Sequence, residues 1–251
     1  MRIAISASQC QGKTTLCNDI LAAWPSYQKS PESYRKLLKE QNLPVNKLVT
    51  KDSQLKILNA LYEDCKQFKS SSDKVIFDRC ALDNIIYSLW SLDKKASDID
   101  PKFINECSDI VKESMRFIDI IFFLPITNIA PVPLEEREGR EIDADYVGEI
   151  DNLFKAVAHQ HSKNECPLFI KGDSPPIIEI FGSREERLAL LKYYINDEGN
   201  LVDSDTSVLD INSLGDIESL IQDQREQAAI EKKQKLIISD IKNEVKQKKH
   251  K

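Results

Sequence analysis

No stretch of this 251-residue chain approaches the ~18 consecutive apolar residues of a membrane-spanning helix. No CxxC pair occurs among its six cysteines, which are scattered at 10, 17, 65, 80, 107 and 166. That scatter argues against a zinc site and against a secreted disulfide framework, so free thiols in a reducing cytoplasm are expected. The start, Met1-Arg2-Ile3-Ala4-Ile5, is too short and too quickly polar for a signal peptide. The three histidines, His159, His161 and His250, lack metal spacing, and two of them, at i and i+2, would face different sides of a helix. There is no internal repeat and no Ser-His-Asp or Cys-His arrangement.

What remains is a chain of ordinary globular composition. It is 41% hydrophobic and 30% charged, enough for a sizeable core and against global disorder. The net charge is −6, which makes nucleic acid a poor default partner. The charge is uneven. Residues 221–251 hold nine Lys/Arg and five Asp/Glu, about +4, and leave about −10 for the rest. The basic tip Lys246-Gln247-Lys248-Lys249-His250-Lys251 reads as a solvated helix end or as a tail for nucleic acid or a partner.

Short apolar runs alternate with helical patterns. Ile3-Ala4-Ile5, Val75-Ile76-Phe77, Ile118 to Leu124, Leu168-Phe169-Ile170 and Ile177 to Phe181 read as strands. Helices are expected over Lys13–Trp24, from a Ser30 cap with Pro31 at the first position, and over Asp52–Phe68, Leu82–Leu92, Asp100–Met115 and Ala144–His161. A last one runs from a Ser183/Glu186 capping box to Ile195. Such alternation predicts an α/β fold, a parallel β-sheet with helices on both faces. Residues 1–195 form the expected domain. The turn-rich Asn196-Asp197-Glu198-Gly199-Asn200 opens a 196–251 linker and C-terminal helical extension. Its narrow stripe, Ile230, Ile237, Ile241 and Val245, suits docking or a homo-oligomer contact more than a lone domain.

Ala7-Ser8-Gln9-Cys10-Gln11-Gly12-Lys13-Thr14 follows the first strand and opens the first helix. It matches the second half of the P-loop pattern, G-x-x-x-x-G-K-[ST], with Ala7 at the first glycine. Backbone N–H groups from Ser8 to Thr15 would face phosphate oxygens at a helix N-terminus. Gly12 would let the backbone approach, Lys13 would reach the β/γ-phosphates, and Thr14 would ligate Mg²⁺. If Ala7 must adopt a positive φ, the loop is strained by on the order of 1 kcal/mol.

Phe77-Asp78-Arg79 ends the Val75 strand, where open α/β sheets bind ligands. Asp78 could hold Mg²⁺ or accept a proton, and Arg79 could clamp a phosphate. Ile5-Ser6-Ala7 with Gly12-Lys13-Thr14-Thr15-Leu16, then Phe77-Asp78-Arg79-Cys80-Ala81-Leu82-Asp83 and Tyr87, resembles the P-loop nucleoside and nucleotide kinases. The likeness is to the thymidylate kinase and nicotinamide riboside kinase branch, viral ATP-binding members included, and it spans about residues 1–195.

The resemblance implies a P-loop NTPase fold, ATP and Mg²⁺. It also implies acceptor contacts from Glu32 and Arg35 in Glu32-Ser33-Tyr34-Arg35 and a base-reading amide at Gln54. An arginine lid would comprise Arg137 and Arg140 around Gly139. Each has a plainer reading: a surface i, i+3 pair, an exposed helical Gln, a solvated charged loop. The function implied is ATP-dependent phosphoryl transfer to a small-molecule nucleotide or nucleoside acceptor. A nucleotide-sensing or assembly ATPase acting through the C-terminal helix, and a polynucleotide 5′-kinase, are the alternatives.

Overall fold

The computed structural model describes residues 1–70, 72–128 and 143–202. Predicted features elsewhere, including Arg137, Arg140 and the C-terminal helix with its basic tip, lie outside the described residues.

One sheet of five parallel strands runs in the order β2-β3-β1-β4-β5. The strands are β1 Arg2–Ser6, β2 Gln28–Lys29, β3 Val75–Asp78, β4 Ile120–Phe123 and β5 Ile177–Glu179. The helices are α1 Lys13–Ala23, α2 Ser33–Gln41, α3 Lys51–Lys66, α4 Ala81–Lys94, α5 Pro101–Met115, α6 Ala144–Ser162 and α7 Arg184–Leu191. A 3₁₀ turn covers Asn46–Leu48.

Every residue of β1, β3 and β4 is buried, which is why these strands read as unbroken apolar runs. Alternation along each strand separates two cores. Ile3, Ile5, Ile76, Ile120 and Phe122 pack against Leu16, Ile20 and Trp24 and against Leu191 of α7. Ala4, Val75, Phe77, Ile121 and Phe123 face the larger layer, with Leu58, Ile85, Phe103, Val111 and Phe154 of α3 to α6. The expected sheet with helices on both faces is therefore present.

Local chemistry sets the helix starts. Asp100 accepts the Phe103 N–H at 2.8 Å, with Pro101 opening α5. Thr50 caps α3, and Ser183 and Glu186 form the expected reciprocal box on α7.

Three expectations are corrected. The Ser30 N–H is taken by the Ile76 carbonyl at 2.9 Å, so Ser30 extends the sheet edge and α2 begins at Ser33 instead. There the Ser33 N–H and hydroxyl both donate to Asp64, at 2.7 and 2.5 Å. Leu168-Phe169-Ile170 forms turns rather than a strand. Leu168 and Phe169 are apolar because they fill the large core, while the Phe169 and Asp173 N–H groups close onto Cys166 and Ile170. Helix α7 stops at Leu191, because Ile195 turns back to bridge Leu201. The segment 196–200 is that reversal, pinned to the core by the Trp24 indole N–H on the Asn196 carbonyl and the Tyr27 hydroxyl on that of Gly199, both 2.8 Å.

No helix among the described residues is long and apolar enough to cross a membrane.

Candidate active site

The carboxyl ends of β1 and β3 lie side by side, because the two strands pair in parallel with Ile5 opposite Asp78. The turn from β1 to α1 and the Asp78-Arg79 step therefore meet at the carboxyl end of the sheet's interior strands.

In the β1–α1 turn the left-handed residues are Cys10, at φ 62°, and Gly12, at φ 80°. Ala7 is not among them and is fully buried. The expected strain at Ala7 is absent, and the non-glycine cost falls on Cys10. Ser8 is buried with its Oγ unpartnered, and the buried Gln11 donates to the Gln9 carbonyl at 3.3 Å. Thr15, on the first turn of α1, is exposed.

Lys13 is buried, and its ammonium donates to the carbonyls of Ala7 at 2.8 Å and Ser8 at 2.6 Å. Burial, then the Arg79 charge, pushes its pKa down to about 7 against the pull of Asp83 and Asp78. Its charge is thus held on neutral dipoles, which an arriving polyphosphate would replace with full counter-charge.

Asp78 is the hub. Its Oδ2 accepts from Thr14 Oγ1 at 2.6 Å and from Arg35 Nη2 at 2.9 Å, while Oδ1 is buried without a partner. Burial opposes its ionisation, but the Thr14 hydrogen bond and the Lys13, Arg35 and Arg79 cations outweigh burial and lower its pKa. Arg79 sits at φ 88°, a conformation costing about 1–2 kcal/mol for a residue with a Cβ. Its guanidinium lies 5.5 Å from the Tyr87 ring centroid and 3.7 Å from Asp83 Oδ1. Asp83, in turn, is fixed by the Ser6 hydroxyl at 2.7 Å and the Cys80 N–H at 3.2 Å.

The acceptor-side candidates converge on this hub. Glu32, left-handed at φ 52°, pairs with Lys29 at 3.2 Å and Arg35 at 2.9 Å, and Arg35 continues to Asp78. The Glu32–Arg35 pair is therefore tied to Asp78 beside the β1–α1 turn rather than isolated on a surface. Gln54 is buried, which overturns the exposed-helix reading, and its side-chain carbonyl and backbone carbonyl both accept from the Asn84 amide. Asn84 Oδ1 is left buried and unpartnered.

A metal needs oxygen ligands here. No group of three or more His, Cys, Asp or Glu that could hold an ion occurs among the described residues. Mg²⁺, however, takes one or two protein oxygens and completes its shell with phosphate and water. The unpartnered Asp78 Oδ1 beside Thr14 fits that donor set.

A family model described as an AAA domain matches residues 2–173. The chain belongs to that family. No curated protein matches it. Among solved structures, a deoxyadenosine kinase from M. mycoides, with products dCMP and a flexible dCDP bound, aligns with a TM-score of 0.55. The two are 18% identical over 76% of this chain and 96% of the other. A thymidylate kinase from Candida albicans aligns at 0.54, 16% identical over 81% and 95%. A NadR protein in complex with NR aligns at 0.51, 14% identical over 76% of this chain, which spans only 51% of that protein. The fold is that of the P-loop nucleoside and nucleotide kinases.

Two groups have no role in the sequence reading. Asn84 follows Asp83 of the motif directly and lies on the helix that Asp78-Arg79 leads into, so that position was a usable signal. Lys47 reaches Asp143 at 2.5 Å and lies 5.3 Å from the centroid of the Tyr146 ring, joining segments nearly a hundred residues apart with no local cue.

The Lys13 environment carries a pH prediction for metal-free ADP. A complex in which Lys13 meets the phosphates requires the ammonium, whereas the free protein loses it above about pH 7. Binding should take up close to one proton (~1) at pH 8 and little at pH 6, so affinity falls as pH rises. Calorimetry in buffers of different ionisation enthalpy measures this directly. Equal proton uptake at both pH values would contradict it.

Proposed function

We propose that this chain is an ATP-dependent kinase whose acceptor is a nucleoside or nucleoside monophosphate. The observation that carries the reading is the Thr14–Asp78–Arg35–Glu32 chain of hydrogen bonds beside Lys13. It joins the triphosphate end to the expected acceptor end through one buried carboxylate. The kinase folds of the neighbours support it.

In this reading the loop amides from Ser8 to Thr15 cradle the triphosphate, and Lys13 leaves the Ala7 and Ser8 carbonyls for the β/γ-oxygens. Thr14 and Asp78 would hold Mg²⁺, which when bound neutralises charge on the phosphate oxygens. Arg79 meets the negative charge that spreads over the transferring phosphoryl, joined by Arg137 and Arg140 as lid arginines. Glu32 and Arg35 place the acceptor oxygen, and Gln54 with Asn84 reads the base edge. The β–γ bridging bond breaks as the acceptor oxygen bonds phosphorus in line, leaving ADP.

The two acceptor classes differ in one proton. A nucleoside hydroxyl must lose its proton, which Glu32 would accept, whereas a monophosphate oxygen is already ionised. Glu32→Gln should cut kcat for a nucleoside by ~10²-fold or more and leave a monophosphate within about tenfold. The acceptor is thus assigned by the size of the loss.

The direct test is an ADP-release assay with a panel of nucleosides and nucleoside monophosphates. Acceptor-dependent release supports the kinase. ATP hydrolysis unaffected by every acceptor would overturn it and favour an assembly ATPase.

A further inference from the structure

A second buried cation touches the phosphate loop from outside the P-loop motif. Arg187 of α7 is buried, and its guanidinium donates through Nη1 to the Gln11 carbonyl at 2.7 Å and through Nε to the Gly182 carbonyl at 3.0 Å. Both of these partners are neutral carbonyls, and burial lowers its pKa. A side chain added at Gly12 would place its Cβ 3.3 Å from Arg187 Nη1, a tight contact that would push the guanidinium by a few tenths of an ångström, on top of the strain of a φ of 80°.

The peptide unit converts this contact into a statement about the loop. The Gln11 carbonyl and the Gly12 N–H belong to one planar trans peptide and point in opposite directions. Holding the carbonyl on Arg187 turns the Gly12 N–H the other way. On Lys13's side, the Ala7 and Ser8 carbonyls are held by the ammonium. The two cations therefore grip the loop at its two ends, but Lys13 must release its carbonyls to reach phosphate and Arg187 need not.

We propose that Arg187 is a positioning residue for the donor nucleotide: it fixes the Gln11–Gly12 peptide so that its N–H serves a phosphate oxygen, without touching the nucleotide itself. This rests on the reading of residues 7–14 as a triphosphate-binding loop.

Inorganic tripolyphosphate isolates the loop from any base or acceptor contact. Its affinity, and the rise in Tm it produces, would be measured for the native chain, Arg187→Gln and Arg187→Lys. Arg187→Gln should bind at least ~10-fold more weakly, and Arg187→Lys, which keeps the charge but on a single donor nitrogen, should recover part of that loss. A merely structural role predicts a lower Tm for the free variant with an unchanged tripolyphosphate affinity, and that result overturns the proposal. If Arg187→Gln does not fold, Arg187→Lys decides. Native-like affinity in that variant refutes the proposal, because one ammonium nitrogen cannot occupy both the Nη1 and the Nε positions from which the fork fixes the Gln11 and Gly182 carbonyls. Failure of the native chain to bind tripolyphosphate would instead refute the phosphate-loop reading itself.

Discussion

Lys13→Met should abolish phosphoryl transfer, by ~10³-fold or more in kcat/KM, while raising the Tm of the free protein at pH 6. The two effects have one origin. The native lysine is buried on two carbonyls, and burial with the Arg79 charge brings its pKa down to about 7. An unfolded lysine titrates near ~10.4, so between pH 7 and that value the unfolded chain binds more protons and stability rises with pH. Below pH 7 the full cost of burying the charge is present. Methionine has similar length and no charge, so it removes that cost. Against the gain stand two lost hydrogen bonds, about 1 kcal/mol each. The net gain should be a few degrees at pH 6 and should vanish toward pH 10. Thermal melts across that range, beside a turnover assay, check both halves. A variant less stable than the native chain at pH 6 would show the lysine to be structural.

The strand–turn–helix expected to hold phosphate was legible because its parts are contiguous. A strand, a turn and a helix follow one another within Ile3 to Leu16, and the motif lies where they join. Asp78-Arg79 was legible for a related reason, since a charge that ends an apolar run marks a strand's carboxyl end. What the letters do not encode is which residue takes the left-handed conformation. Ala7 was the suspect because glycine usually stands there, but the turn reverses at Cys10 and Gly12.

Ser30 has the composition of a helix cap, yet its backbone continues the sheet edge, with its N–H on the Ile76 carbonyl, and the helix starts three residues later. The strand it extends, Gln28–Lys29, is too short and too polar to leave a periodic signal. Leu168 and Phe169 are apolar for a core they enter from a turn. Asn84 and Arg187 act across separations of 30 and 176 residues, which no local pattern reports.

Asp78→Asn separates nucleotide binding from transfer. The carboxamide can keep its oxygen toward Thr14 and Arg35, so the two hydrogen bonds at 2.6 and 2.9 Å survive in one orientation. Its nitrogen then replaces the buried, unpartnered Oδ1. Shape is conserved, but a negative charge leaves a cluster that holds Lys13, Arg35 and Arg79. A polyphosphate without metal should therefore bind as well as before or more tightly. A site that needs Asp78 oxygens for Mg²⁺ and as counter-charge to Arg35 should lose ~10²–10³-fold in kcat. The free protein should also lose stability at neutral pH, because a carboxylate with a lowered folded pKa stabilises above its unfolded pKa. That loss should shrink as the pH falls through the folded pKa. Metal-free ADP affinity and Mg²⁺-dependent turnover, measured on one preparation, give the contrast. Parallel loss of both would mean that Asp78 only builds the loop. Turnover within about fivefold of native would remove it from the reaction, leaving Arg35 and Glu32 as the groups that join donor to acceptor.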